Sequence, residues 1–149
     1  MKDKDKNMKQ IVLGKTGITT PQNAFGALPV QRVDMNTAVK LLRRAYEGGM
    51  TFFDTARAYS DSEEKLGEAF DGMRDRIFIS SKTQAKTPEK FWSDLETTLK
   101  NLRTDYLDIY QFPFSYLANE REIKLVEDTE KAGMGFIAMK GLAGGQKSK

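Results

Sequence analysis

The most constraining feature of this sequence is a repeat in which short apolar segments end at nearly equal intervals. The predicted strands end at Gly26, Asp54, Lys82, Gln111 and Met139, and consecutive ends are about 28 residues apart. A pattern typical of an amphipathic helix lies within every interval. Such alternation predicts an α/β protein whose βα units place all the strand ends on one face of a parallel sheet. In folds of this kind that face carries the chemistry, whether the sheet closes into a barrel or stays open.

The segment before the first of these strands has a different pattern. Residues 1–9 alternate in charge without apolar content and are expected to form a disordered tail. Two short apolar stretches, at 11–13 and 18–20, flank a turn with two glycines, which predicts a β-hairpin. A chain of 149 residues is typical of one domain, so residues 10–149 are expected to form a single α/β domain.

Composition excludes several classes of function. The 24 basic residues are interspersed with 21 acidic ones, so the net charge of +3 indicates a solvated surface rather than a nucleic-acid interface. No apolar stretch approaches the ~20 residues of a membrane span, and no signal segment is visible, so a cytoplasmic location is expected. The chain has no cysteine and no histidine, and no metal site is expected.

A carboxylate at the end of the second predicted strand is the first candidate site residue. Asp54 follows Phe52 and Phe53, where an unpaired charge would be destabilising, so it needs a cationic partner or a chemical role. Lys82 ends the next strand and would lie on the neighbouring strand end, within ion-pair distance. Tyr59, on the loop after Asp54, could reach both side chains. A second interpretation, that Asp54 caps the helix beginning near residue 62, stays open.

The segments FFDTARAY and ISSKT closely resemble those of the aldo-keto reductases, eight-stranded βα barrels that reduce carbonyls with NAD(P)H. The resemblance implies that Tyr59 is the general acid that protonates the carbonyl oxygen. It further implies that Lys82 lowers the pKa of this tyrosine and that Asp54 holds the lysine. The family has a histidine after its fourth strand, where this sequence has Pro113.

The resemblance also implies a binding site for NADPH or NADH at the same face. Gln111 resembles the glutamine that binds the nicotinamide carboxamide, although a simple polar residue at a strand end is an equal alternative. Residues near the last predicted strand resemble those beside the nicotinamide and the pyrophosphate. The implied cofactor-binding residues are Gly26, Ala27, Gln111, Met139, Lys140, Leu142 and Gly144.

Taken with this resemblance, the number of repeats implies an incomplete TIM-type (β/α) barrel of about five strand-helix units with an N-terminal β-hairpin. A closed barrel needs eight strands and typically ~250 residues. Residues 10–112 resemble the hairpin and strands one to four of the family, whereas residues 111–145 resemble strands six and seven. We therefore expect an internal deletion, an open sheet in which the seventh-like strand follows strand four, and irregular self-association through its edges.

Two functions are compatible with these patterns. The first is an NAD(P)H-dependent oxidoreductase that reduces a small aldehyde or ketone, with Tyr59 as general acid. The second is a non-catalytic remnant that keeps the residues of the strand ends but has lost the reaction.

Overall fold

A sheet of five parallel strands is the central feature of the computed structural model, which describes residues 8–142. The hairpin strands are β1 (Gln10–Val12) and β2 (Thr19–Pro21), and the sheet strands are β3 (Phe25–Gly26), β4 (Phe52–Asp54), β5 (Phe78–Lys82), β6 (Ile109–Pro113) and β7 (Gly135–Met139). The helices are α1 (Met35–Glu47), α2 (Ser62–Ala69), α3 (Pro88–Leu102) and α4 (Glu120–Lys131), with short 3-10 helices at Leu28–Arg32 and Arg74–Arg76.

The strands lie in the order β3-β4-β5-β6-β7, and every neighbouring pair is parallel. Within residues 8–142 the two outer strands, β3 and β7, are not paired with each other, so the barrel is not closed. The hairpin lies at the amino ends of the strands, where Thr16 borders Gly135 at the start of β7. The predicted incomplete (β/α) barrel, its hairpin and its strand order are confirmed.

Parts of two predicted segments lie outside the described residues. Of the predicted disordered tail at 1–9, only Met8 and Lys9 are described, and the Lys9 carbonyl accepts a hydrogen bond from the Gln22 amide at 2.7 Å. Gly144, the last of the implied cofactor-binding residues, is likewise not described.

Local sequence signals explain where the helices begin. Asp34 caps α1 by accepting from the Thr37 amide at 3.0 Å, and Thr87 caps α3 by accepting from the Lys90 amide at 3.3 Å. In α4, Asn119 and Glu122 form a reciprocal capping box. In the described range, no helix is both long and apolar enough to cross a membrane.

The core lies between the sheet and its helices and is rich in aromatic side chains. Phe53 of β4 packs on Phe70 at the end of α2 with ring centroids 4.6 Å apart, and Phe91 of α3 packs edge-on against Tyr110 of β6 at 5.1 Å. Gly67 brings α2 close to α3, because a Cβ atom there would lie 2.3 Å from the Asn101 carbonyl oxygen. These contacts hold α2 against β4 and α3 against β6, and the carboxyl ends of β4, β5 and β6 carry the site.

Candidate active site

The carboxyl ends of β4 and β5 bring Asp54 and Lys82 into direct contact. The Lys82 ammonium donates to Asp54 Oδ2 at 2.5 Å and to the Thr55 carbonyl oxygen at 2.6 Å. The Asp54 and Lys82 side chains are 28% and 16% exposed, so the pair is shielded but reachable from solvent. The predicted ion pair is confirmed. Asp61, not Asp54, occupies the N-cap position of α2, so the interpretation of Asp54 as a helix cap is wrong.

Tyr59 lies above this pair on the loop between β4 and α2. The Lys82 ammonium is 5.2 Å from the centroid of the Tyr59 ring, which is a cation-π distance. An ammonium has three hydrogens, and Asp54 and Thr55 take two of them, which leaves one for a further acceptor. Among the described residues the Tyr59 hydroxyl has no hydrogen-bond partner, and the observed contact of Lys82 is with the face of the Tyr59 ring.

Gln111 of β6 reaches the same cluster from the next strand. Its amide nitrogen donates to Asp54 Oδ1 at 2.9 Å and to the Ser80 hydroxyl at 2.7 Å. A carboxylate only accepts hydrogen bonds, so the amide NH2 group must face Asp54. The Gln111 carbonyl oxygen is thereby left for another donor, and both interpretations of Gln111, cofactor ligand and polar residue at a strand end, stay predictions.

The other implied cofactor-binding residues lie on two parts of the sheet. Gly26 and Ala27 adjoin Asp54, because the Ala27 amide donates to the Asp54 carbonyl oxygen at 2.8 Å. Met139 is at the end of β7, opposite Pro113 of β6. Lys140, which has a positive φ of 54°, and Leu142, which is 85% exposed, follow Met139. The carboxyl ends of β3, β4, β5 and β6 thus lie together. Met139, Lys140 and Leu142, at and after the end of β7, lie at the far edge of the sheet.

Sequence reasoning missed a buried carboxylate beneath the loop. Glu63 and Glu64 both lie in the first turn of α2, but only Glu64 is exposed, and Glu63 has no exposed surface. Glu63 accepts from the Arg57 guanidinium and, at 2.7 Å each, from the hydroxyls of Ser81 and Thr98. The helical spacing of Glu63 with the apolar residues Leu66 and Phe70 is a signal that could have found it.

A second carboxylate supports the segment after Lys82. Asp94 of α3 accepts from the Thr83 hydroxyl and from the Lys90 ammonium at 2.5 Å each. Burial raises the pKa of Asp94, but the hydrogen bonds from Lys90 and Thr83 outweigh that effect, and the pKa is lowered overall. Asp94 therefore stays charged and holds the loop after β5.

Two cavities differ in their relation to the candidate residues. A cleft of about 520 Å³ adjoins the Tyr59 loop and is lined by Arg57, Ala58, residues 84–87, Lys90 and Asp94. A larger cavity of about 660 Å³ lies at the opposite end of the sheet between the hairpin, α3 and α4. None of Asp54, Tyr59 and Lys82 lines either cavity, but the smaller cleft is next to Tyr59 because Arg57 and Ala58 of the same loop line it.

Comparison with known protein families gives one consistent result. The family model described as "Aldo/keto reductase family" matches residues 10–134. Curated relatives include methylglyoxal reductase YeaE of Escherichia coli, 39% identical over 83 residues, which cover 53% of this chain and 29% of YeaE. Aldo-keto reductase YhdN of Bacillus subtilis is 30% identical over 147 residues, or 85% of this chain and 44% of YhdN. This chain therefore spans less than half the length of these relatives.

Solved structures share the architecture. An aldo-keto reductase from Klebsiella pneumoniae in complex with NADPH matches with a TM-score of 0.71 and 25% identity, over 82% of this chain and 46% of that one. An aldo/keto reductase from Brucella melitensis matches with a TM-score of 0.69 and 24% identity, over 90% of this chain and 54% of that one.

Proposed function

Because this chain belongs to the aldo/keto reductase family, we propose that it is an NAD(P)H-dependent oxidoreductase that reduces a small aldehyde or ketone to an alcohol. The observation that carries the proposal is the contact of Lys82 with Asp54 on one side and with the Tyr59 ring on the other. It unites an acid that can deliver a proton with a cation that can stabilise the resulting anion.

In the proposed reaction Tyr59 delivers its phenolic proton to the carbonyl oxygen of the substrate. The phenolate that remains is stabilised by the nearby Lys82 ammonium, which has one hydrogen free for it. Asp54 holds the ammonium at the strand end. A bound NADPH would supply the hydride that adds to the carbonyl carbon, so that one hydride and one proton complete the alcohol.

The residues at the strand ends fit a nicotinamide cofactor in two respects. A Cβ atom built on Gly26 meets no other atom within 4 Å, so the space beside the end of β3 is open to a ligand. The Gln111 carbonyl oxygen can accept from a carboxamide while its NH2 group stays on Asp54. We propose that Gly26, Ala27, Gln111, Met139, Lys140, Leu142 and Gly144 hold the cofactor.

A second candidate is the non-catalytic remnant, which one feature of β6 favours. Pro113 ends β6 where the family resemblance implies a histidine, and proline can neither orient a carbonyl nor share a proton. We expect catalysis to be slow for this reason, and also because an open sheet excludes water poorly.

NADPH titration followed by fluorescence, with turnover measured at 340 nm, distinguishes the two candidates. The enzyme predicts saturable binding and slow NADPH oxidation with a simple aldehyde, and Tyr59→Phe should abolish the oxidation while retaining binding. Tyr116→Phe, at a tyrosine that is 69% exposed, is the matched control and should change neither. No saturable binding, or equal turnover by the Tyr59→Phe variant, would contradict the proposal.

A further inference from the structure

The loop that carries Tyr59 is bridged by an ion pair beneath it. Arg57 lies two residues before Tyr59 and Glu63 lies four residues after it, and the Arg57 guanidinium donates to the Glu63 carboxylate. Glu63 also accepts from Ser81, Thr98 and Asn101, the last at 3.2 Å. The ion pair therefore connects the segment that precedes Tyr59 to the segment that follows it.

The charge of Glu63 makes this bridge difficult to open. The Glu63 side chain has no exposed surface, and among the described residues Arg57 is the cation that forms a salt bridge with it. Moving Arg57 away would leave an uncompensated carboxylate in the core, which is strongly unfavourable. The position of the loop is in this way coupled to a charge in the packed interface between α2 and α3.

Arg57 is also attached to the strand that carries Lys82. The Arg57 backbone amide donates to the Lys82 carbonyl oxygen at 2.9 Å. On the other side, the Tyr59 carbonyl oxygen accepts from the Ser62 amide at 2.8 Å, which connects the tyrosine to the start of α2. Tyr59 thus lies between two fixed points of the chain. On one side Arg57 is hydrogen-bonded to β5 and to Glu63, and on the other side Tyr59 is hydrogen-bonded to the start of α2.

From this arrangement we propose that Arg57 and Glu63 are positioning residues that hold Tyr59 over Lys82. The inference rests on the proposed function in so far as Tyr59 is the proton donor. The orientation of the loop itself depends only on the ion pair, so it can be tested without cofactor or substrate.

The chain offers a matched control in a second shielded pair, Arg74 and Asp108, at the opposite end of the sheet. The guanidinium of Arg74 is 2.6 Å from Asp108, and their side chains are 14% and 13% exposed. Glu63→Gln and Asp108→Asn each neutralise the carboxylate of such a pair, so a general loss of stability affects both variants. Only Glu63→Gln releases the Tyr59 loop.

Two readouts follow the loop directly in the whole chain. Trypsin cleavage after Arg57 should be at least about 10-fold faster in Glu63→Gln than in the wild type, because proteolysis follows the population of the opened segment. With 3-fluorotyrosine incorporated, the fluorine resonance assigned by Tyr59→Phe should shift in Glu63→Gln. In Asp108→Asn the Arg57 cleavage rate and the Tyr59 resonance should both stay at their wild-type values.

Other variants keep the test decisive if Glu63→Gln does not fold. In the wild type, cleavage after Arg57 should be much slower than after Lys86, an exposed loop residue at the same end of the sheet. Arg57→Lys should retain the Tyr59 resonance, whereas Arg57→Met should displace it. Equal cleavage after Arg57 and Lys86 in the wild type, or equal effects of Glu63→Gln and Asp108→Asn, would overturn the inference.

Measurements of activity distinguish a failure of this inference from a failure of the proposed function. If the chain reduces an aldehyde, Glu63→Gln should lower kcat more than it raises KM, since it misplaces the acid and leaves the implied cofactor residues intact. If the wild type and Tyr59→Phe show the same absence of turnover, the proposed function fails. The proteolysis and fluorine results still decide the role of the ion pair.

Discussion

The Gln111 amide reaches across β5 and donates to Asp54 Oδ1 at 2.9 Å, so the carboxylate that holds Lys82 is itself held by β6. Three neighbouring strands therefore define the position of one ammonium group. This relationship makes the cluster sensitive to changes at Gln111, which is two strands away from Asp54.

Two substitutions at Gln111 should distinguish the effect of losing a hydrogen-bond donor on stability from the effect of gaining a negative charge. Gln111→Met removes the hydrogen bonds to Asp54 and Ser80 and should lower the free energy of unfolding by about 1–2 kcal/mol. Gln111→Glu should cost more at neutral pH, because it puts a second carboxylate beside Asp54. Urea unfolding measures both values. A Gln111→Glu variant as stable as Gln111→Met would show that the amide does not face Asp54.

The ion pair of Asp54 and Lys82 should show energetic coupling. Lys82→Met leaves a shielded carboxylate without its cation, so the double variant with Asp54→Asn should recover part of the loss. We expect a coupling energy of about 1–2 kcal/mol in a double-mutant cycle, since the pair is neither fully buried nor fully exposed. The exposed pair of Lys124 and Asp128 is the control, and a coupling there as large as at Asp54 and Lys82 would contradict the expectation.

Gly67→Ala should destabilise the protein although alanine favours a helix. Propensity alone predicts a gain of about 1 kcal/mol. The added methyl group would lie 2.3 Å from the Asn101 carbonyl oxygen and force α2 and α3 apart, so a net loss of about 1–3 kcal/mol is expected. Thermal unfolding measures the loss, with Glu64→Ala as an exposed control in the same helix. A Gly67→Ala variant at least as stable as the wild type would refute the close contact.

The stability of the protein should fall in alkaline solution because of Tyr110. Burial raises the pKa of the Tyr110 phenol, and the carboxylates of Asp94 and Glu63 raise it further. Above a pH of ~10 the unfolded chain releases this proton while the folded protein keeps it, so the stability present at lower pH is lost as the pH rises.

Tyr110→Phe should remove that part of the pH dependence. Among the described residues the Tyr110 hydroxyl has no hydrogen-bond partner, so the change should alter stability at pH 7 by no more than about 1 kcal/mol. Urea unfolding at pH 7 and at a pH of about 10.5 should show a smaller decrease for this variant than for Tyr116→Phe. Equal decreases in the two variants would exclude Tyr110 as the cause.

The outer strand β7 should promote self-association. Its outer edge is unpaired within the described residues, and Ile137 on this strand is 42% exposed. Ile137→Lys should weaken concentration-dependent association by about 10-fold, because an edge lysine opposes strand pairing. Ile123→Lys, at a similarly exposed position of α4, is the control. A single monomer peak for the wild type in light scattering at high concentration would exclude this association.

The order of the strands and the pair of Asp54 and Lys82 could be predicted from sequence because both depend on local rules. Apolar segments separated by one helix form parallel neighbours, and residues that end such strands meet at one edge of the sheet. The spacing of Asp54 and Lys82 by one βα unit was sufficient to bring them together. The motif around Tyr59 then indicated the family.

The burial of Glu63, the donors to Asp54 and the orientation of Tyr59 were decided by the tertiary structure. A charged residue in the first turn of a helix is ordinarily solvated, and only the packing of α2 on α3 encloses Glu63 and selects Arg57 as its partner. Gln111 contacts Asp54 across the intervening strand β5, and no periodicity of the sequence predicts that contact. The ring of Tyr59 faces Lys82 because its loop is held at both ends, and such contacts depend on how distant segments pack.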